Sequence, residues 1–223
     1  MSNQPNILRW SHGHAVLMLA LTVSSFLSER LEWLVIGAGI SFGYYLWSGR
    51  YLLSAFKLGV GRANWVTILR ISIISYLLLF YAEITPSGLA IILVLTLCLD
   101  GLDGYLARRF NEAGEFGQNF DLEADSFAIC GLCLMVCQLR DLNWLLIGAG
   151  SLRYSYILLV RFTVTTPSIE PKRKYASVIA VTFYILLVVN ILWNAIWLTW
   201  ILYIGVVLLA ISFLRSYIFQ LKG

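Results

Sequence analysis

Residues 100–125 read DGLDGYLARRFNEAGEFGQNFDLEAD and set four aspartates into an otherwise oily chain. Asp100, Asp103, Gly104 and Ala107 recur at i, i+3, i+4 and i+7, one stripe of an α-helix with Arg108 at its margin. Gly117, Asp121 and Asp125 recur at i, i+4 and i+8, one stripe of the next helix. The short turn between them makes the helices antiparallel neighbours, so the acidic stripes can face each other at similar depth. Converging carboxylates with no His or Cys on either stripe form a hard-oxygen site suited to Mg²⁺, Mn²⁺ or Ca²⁺ and poorly suited to zinc. Two divalent ions would balance four negative charges. Such a pair stabilises a pyrophosphate under attack by neutralising charge on its bridging and leaving oxygens. Gly104 and Ala107 leave room for a bulky nucleotide against the helix, and Arg108 supplies a cation for phosphate.

The elements that must position these groups are membrane helices. The chain has 223 residues, 60% hydrophobic and 13% charged, and a mean hydropathy of +0.80, far outside the range of soluble domains. Long continuous apolar runs exclude barrel strands and predict an all-α integral membrane protein with about eight spans: 12–28, 31–48, 64–83, 87–110, 117–140, 142–163, 174–193 and 196–218. Four carboxylates near mid-bilayer would oppose insertion by roughly 10 kcal/mol unless compensated, so a polar cavity is expected towards the cytoplasmic ends of their helices. Arg9, His12 and His14 precede the first apolar run without a convincing cleavage site after it, which predicts a retained helix. The first two spans form a hairpin with a packing or anchoring role. Basic residues gather at Arg50, Lys57 and Arg62, at Arg108 and Arg109, and at Lys172, Arg173 and Lys174, with almost none in the alternate loops. The positive-inside rule then places both termini and the 111–116 turn in the cytoplasm. The net charge of +4 is mostly this bias and implies no nucleic-acid partner.

The residues Asp100, Asp103, Gly104, Ala107, Arg108, Gly117, Asp121 and Asp125 reproduce D-x-x-D-G-x-x-A-R-x8-G-x3-D-x3-D, a signature that resembles the CDP-alcohol phosphatidyltransferase family at every fixed position. A weaker match, Asn64, Thr67 and Arg70, is similar to the N-x-x-T-x-x-R that opens the family's first core helix. The resemblance implies a six-helix core with a juxtamembrane helix over residues 50–223, to which residues 1–49 add two transmembrane helices. It implies that Asp100, Asp103 and Asp121 bind two Mg²⁺ or Mn²⁺ ions with help from Asp125, and that Asp125 is the general base. It also implies that Gly104, Ala107, Arg108 and Gly117 hold the CDP moiety, with Asn64 and Thr67 lining the same pocket. The reaction would be attack of an acceptor hydroxyl on the β-phosphorus of the donor, expelling CMP. The same resemblance suggests a bacterial inner-membrane enzyme with its active site facing the cytoplasm.

Three readings compete for the function. A phosphatidyl group moves from CDP-diacylglycerol to a small polar alcohol, or a CDP-linked headgroup such as choline or ethanolamine moves to diacylglycerol. The third is a cation transporter, which explains the carboxylates but not Gly104, Ala107 and Arg108 on the same stripe. Arg153 lies mid-span, Arg161 follows eight positions later, and Lys172, Arg173 and Lys174 lie beyond. This track either holds an anionic acceptor or, through Arg153, neutralises the acidic cluster.

Plain readings stand beside these. Glu123 falls on roughly the opposite face from Asp121 and is expected to be non-catalytic. Asn64 could instead cap its helix, and Thr67 could bond its own backbone. Cys130, Cys133 and Cys137 on an apolar helix are expected to be buried thiols, and Trp47, Trp144 and Trp197 near span ends suit interfacial belts. Gly37, Gly39, Gly148 and Gly150 suit close helix packing, within the chain or at a homodimer contact.

Overall fold

The computed structural model describes residues 4–50, 61–110, 112, 114–164 and 174–222. The expected juxtamembrane helix, Lys172, and the side chains of Asp103 and Lys174 lie outside the described residues. Those residues form eight α-helices: α1 (Gln4–Ser28), α2 (Glu32–Ser48), α3 (Arg62–Phe80, followed by a 3-10 turn at Tyr81–Glu83), α4 (Pro86–Arg109), α5 (Glu115–Arg140), α6 (Leu145–Thr163), α7 (Lys174–Leu192) and α8 (Ile196–Lys222). Helix is what the composition demands, because a backbone in hydrocarbon must satisfy its own hydrogen bonds.

The eight expected segments are all helical, but six of them are long and apolar enough to cross a membrane, α3 to α8. The protein is an integral membrane protein on the strength of these six. α1 and α2 fall outside these six. The latter has 17 residues, and His12 and His14 dilute the apolar run of the former.

Local chemistry sets the ends of the site-bearing helices. Thr85 caps α4 by accepting a hydrogen bond from the Gly88 amide at 3.2 Å, with Pro86 in the first turn. Asp141 ends α5 in the left-handed conformation. Arg140 then reaches back to the exposed carbonyls at the end of α7, donating to Asn190 O at 2.9 Å and Ile191 O at 2.6 Å. The start of α3 is closed from fifty residues away, because Glu112 accepts from the amides of Arg62 (2.6 Å) and Ala63 (3.3 Å). Arg62 also lies 3.7 Å over the Phe110 ring. The turn joining the two acidic helices is thereby fastened to the helix that carries Asn64, Thr67 and Arg70.

α5 is the central helix, most of its span lying inside the protein, with α3, α6, α7 and α1 around it. Lipid is as apolar as a side chain, so close van der Waals packing holds such a bundle and small residues mark it. A Cβ on Gly150 of α6 would meet the Cys130 backbone and the Cys133 side chain of α5 at 3.0 Å, and one on Gly37 of α2 would collide with Leu21 of α1. These two glycines pack within the chain; Gly39 and Gly148 have open space beside them. Cys130, Cys133 and Cys137 are buried and free. Trp47, Trp144 and Trp197 are exposed.

Candidate active site at the α3–α4–α5 junction

Asp100 on α4 and Asp121 and Asp125 on α5 present carboxylate oxygens that all lie within 4.8 Å of one another. The carboxylates converge although α4 and α5 make little direct contact among the described residues: α3 packs against both, so the stripes meet across a gap and not through the close helix pairing expected from the short turn. At their centre is Arg70 of α3, 8% exposed. Its Nη1 lies 2.9 Å from Asp100 and 3.0 Å from Asp121, and its Nη2 lies 2.5 Å from Asp125. One guanidinium against three carboxylates leaves a formal charge of about −2, the deficit that a divalent cation would balance. The donor set is entirely carboxylate, which fits Mg²⁺ or Mn²⁺ and not zinc.

The residues expected to hold a nucleotide lie on the same three helices. Gly117 of α5 faces Asn64 of α3 so closely that a Cβ there would lie 3.1 Å from Asn64 Oδ1. Asn64 is buried and lies inside α3; the residue flanking that helix is Gly61. Its side chain therefore serves the α3–α5 contact, not the expected cap. Thr67, also buried, donates to Ala63 O at 3.3 Å, as the plain reading of a membrane threonine expects. Gly104 and Ala107 sit on α4 half-buried, and Arg108 is exposed with its Nη1 3.5 Å from where a Gly104 Cβ would stand. A small side chain at position 104 thus leaves the guanidinium free to swing over the stripe.

A cleft opens from the cluster. Arg70, Asp100 and Asp125 form its polar end, and Ile71, Ile74, Leu97, Ile129 and Val181 line the apolar remainder. Thr96 and Tyr184 close it from α4 and α7, their hydroxyls 2.9 Å apart.

A family model for CDP-alcohol phosphatidyltransferase matches residues 61–211, from the first turn of α3 into α8. The chain belongs to that family. The match includes all four signature aspartates and begins after α2. Two curated relatives are CDP-diacylglycerol–glycerol-3-phosphate 3-phosphatidyltransferases. The protein from Yersinia enterocolitica is 30% identical over 92 residues, 40% of this chain and 50% of that one. The protein from Rickettsia bellii is 27% identical over 140 residues, 58% and 77% respectively. The chain thus spans about half the length of the first relative and about three quarters of the second. No solved structure matches.

The cation within the family's acidic cluster is Arg70, not Arg153. Arg153 Nη2 lies 3.0 Å from Glu123 Oε1, and Glu123 is 1% exposed on the side of α5 turned away from Asp121. The expectation that Arg153 neutralises the aspartates is corrected: two faces of α5 carry two separate charge clusters, each with its own arginine. Arg161 is exposed near the end of α6. Arg70 was legible only as the last residue of the weaker N-x-x-T-x-x-R match. The helical spacing that puts it one turn beyond Thr67 on a buried stripe is the signal that could have placed it in the site.

Proposed function

We propose that the chain transfers a phosphatidyl group from CDP-diacylglycerol to a small polar alcohol with release of CMP. The observation that carries this reading is the convergence of Asp100, Asp121 and Asp125 on one cation beside a cleft with a charged end and an apolar body. A cleft of that kind suits a donor that is pyrophosphate at one end and lipid at the other. The names of the two curated relatives favour glycerol 3-phosphate as the acceptor.

Asp100, Asp103, Asp121 and Asp125 would hold two Mg²⁺ or Mn²⁺ ions, which when bound supply charge neutralisation to the pyrophosphate. The chain's own residues do the rest. Gly117 and Asn64 set the width of the nucleotide slot, Thr67 lines it, and Gly104 and Ala107 keep the α4 stripe low. Arg108 closes over the phosphates. Asp125 accepts the proton of the acceptor hydroxyl as its oxygen bonds to the β-phosphorus, and the bond from phosphorus to the CMP oxygen breaks. An anionic acceptor would meet Arg161, Lys172 and Lys174, since Arg153 is engaged by Glu123. Residues 50–223 would form the catalytic core and residues 1–49 an added hairpin, with the site facing the cytoplasm of a bacterial inner membrane.

The test is CMP release by the purified protein from radiolabelled CDP-diacylglycerol, with glycerol 3-phosphate, inositol, inositol phosphate, serine and choline supplied in turn. Turnover with one of these supports the reading. Cation flux in liposomes with no CMP formed replaces it with a transporter, and turnover only with CDP-choline or CDP-ethanolamine and diacylglycerol reverses the direction of transfer.

A further inference from the structure

The face of α5 opposite its aspartates is covered by the N-terminal hairpin together with α6. Phe116, Phe120, Glu123 and Phe127 recur at i, i+4, i+7 and i+11 and are all buried. Tyr45 of α2 stacks on Phe116 at 4.3 Å between ring centroids and on Phe120 at 5.8 Å, and its hydroxyl donates to Phe116 O at 2.9 Å. Phe42 meets Phe120 and Phe127 edge-on. Among these apolar contacts sits one charged pair. Glu123 Oε1 accepts from Arg153 of α6 at 3.0 Å and from the Ser11 hydroxyl of α1 at 3.2 Å.

Stability does not explain this pair. A buried ion pair recovers its desolvation cost only with good geometry and full hydrogen bonding, and apolar residues of similar size often serve as well. Among the described residues, Glu123 Oε2 and Arg153 Nε are buried without a hydrogen-bond partner. What a directional pair adds over apolar packing is register: aromatic rings tolerate small rotations of α5, whereas an arginine and a serine aimed at one carboxylate oxygen do not. Phe120 precedes Asp121, and Glu123 lies two residues from both Asp121 and Asp125. A rotation of α5 that freed Glu123 would swing both aspartates away from Asp100.

We infer that Glu123, Arg153 and Ser11 form a latch by which the N-terminal hairpin and α6 fix the rotation of α5, and so the positions of the cation-holding aspartates on its other face. The three are positioning residues. The inference rests on the reading of Asp121 and Asp125 as cation ligands.

The experiment uses the full chain in lipid nanodiscs and compares wild type, Ser11→Ala and the double variant Glu123→Met/Arg153→Met. It measures Mn²⁺ affinity by electron paramagnetic resonance, the unfolding midpoint without metal, and kcat and KM for CDP-diacylglycerol. Methionine fills the space without directing it. The double variant is expected to unfold near the wild-type temperature yet bind Mn²⁺ about tenfold more weakly, as loss of an outer-shell partner does. Its kcat falls in parallel while the donor KM is nearly unchanged. Ser11→Ala, which leaves the ion pair in place, weakens Mn²⁺ binding by a smaller factor and keeps the midpoint; it decides the matter if the double variant does not fold. Wild-type Mn²⁺ affinity in whichever variants fold reduces the pair to packing and overturns the latch while the proposed function stands. A wild-type protein that binds Mn²⁺ but releases no CMP defeats the proposed function, and the affinities alone then judge the latch. A wild-type protein that binds no Mn²⁺ overturns both.

Discussion

The guanidinium of Arg70 lies 2.9 Å from the Asp100 carboxylate, joining α3 to α4 at the point where two aspartates of α5 also arrive. This contact makes a cation an architectural part of the acidic cluster. Replacing Arg70 with glutamine leaves three carboxylates facing one another. The carboxylates are about a third exposed, so the cost falls towards or below the lower end of the range for a broken buried pair, about 3 kcal/mol. The Arg70→Gln protein should unfold at a lower temperature in EDTA and regain more stability from Mg²⁺ than wild type does. An equal Mg²⁺ response in the two proteins, followed by thermal unfolding, would show that the arginine and the metal do not share the cluster.

The two faces of α5 should separate cleanly in kinetics. Asp100→Asn, Asp103→Asn, Asp121→Asn and Asp125→Asn are each expected to lower CMP release by more than about 100-fold, beyond the loss typical of an outer-shell partner, without unfolding the protein. Glu123→Gln should keep roughly a tenth or more of the activity. Near-normal turnover in two of the aspartate variants defeats the mechanism, and a Glu123→Gln enzyme as inactive as Asp121→Asn defeats the assignment of faces.

Metal dependence follows from the oxygen-only donor set. Chelation with EDTA should abolish CMP release, Mg²⁺ or Mn²⁺ should restore it, and zinc alone should not. Full turnover after exhaustive chelation is the contrary result.

Gly117 offers a test of the nucleotide slot. A Cβ at this position would press on Asn64 Oδ1 at 3.1 Å, closer than ordinary van der Waals contact, so Asn64 must give way. Gly117→Ala should raise the KM for the CDP donor several-fold and leave the acceptor KM close to wild type. Equal rises in both constants point to a general disturbance of the α3–α5 contact.

Orientation can be checked by labelling. In a Cys98→Ser background, a cysteine at Ala113 should react with an impermeant reagent from the cytoplasm and one at Ser87 from the opposite side. The reverse pattern inverts the protein in the membrane.

The sequence alone determined the helices, because apolar runs of this length have no other stable state in lipid, and it determined the acidic stripes, because helical spacing converts i, i+3, i+4 into a shared face whatever the neighbours are. Both are local properties. It also placed Glu123 away from Asp121 for the same reason. What it left open were the partners of charges carried on different helices. Arg70 and Asp125 are 55 residues apart, Arg153 and Glu123 are 30, and Ser11 and Glu123 are 112. Arg153 was the expected neighbour of the acidic cluster and Arg70 only a motif residue, and only the packing of α3 against α4 and α5 and of α6 against α5 decided which arginine met which carboxylate. The hairpin was legible as two helices, but its hold on the back of α5 depends on the direction from which α1 and α2 approach. That direction is set by Tyr45, Phe42, Phe116 and Phe120 fitting together in three dimensions, a relation that no spacing along one helix encodes.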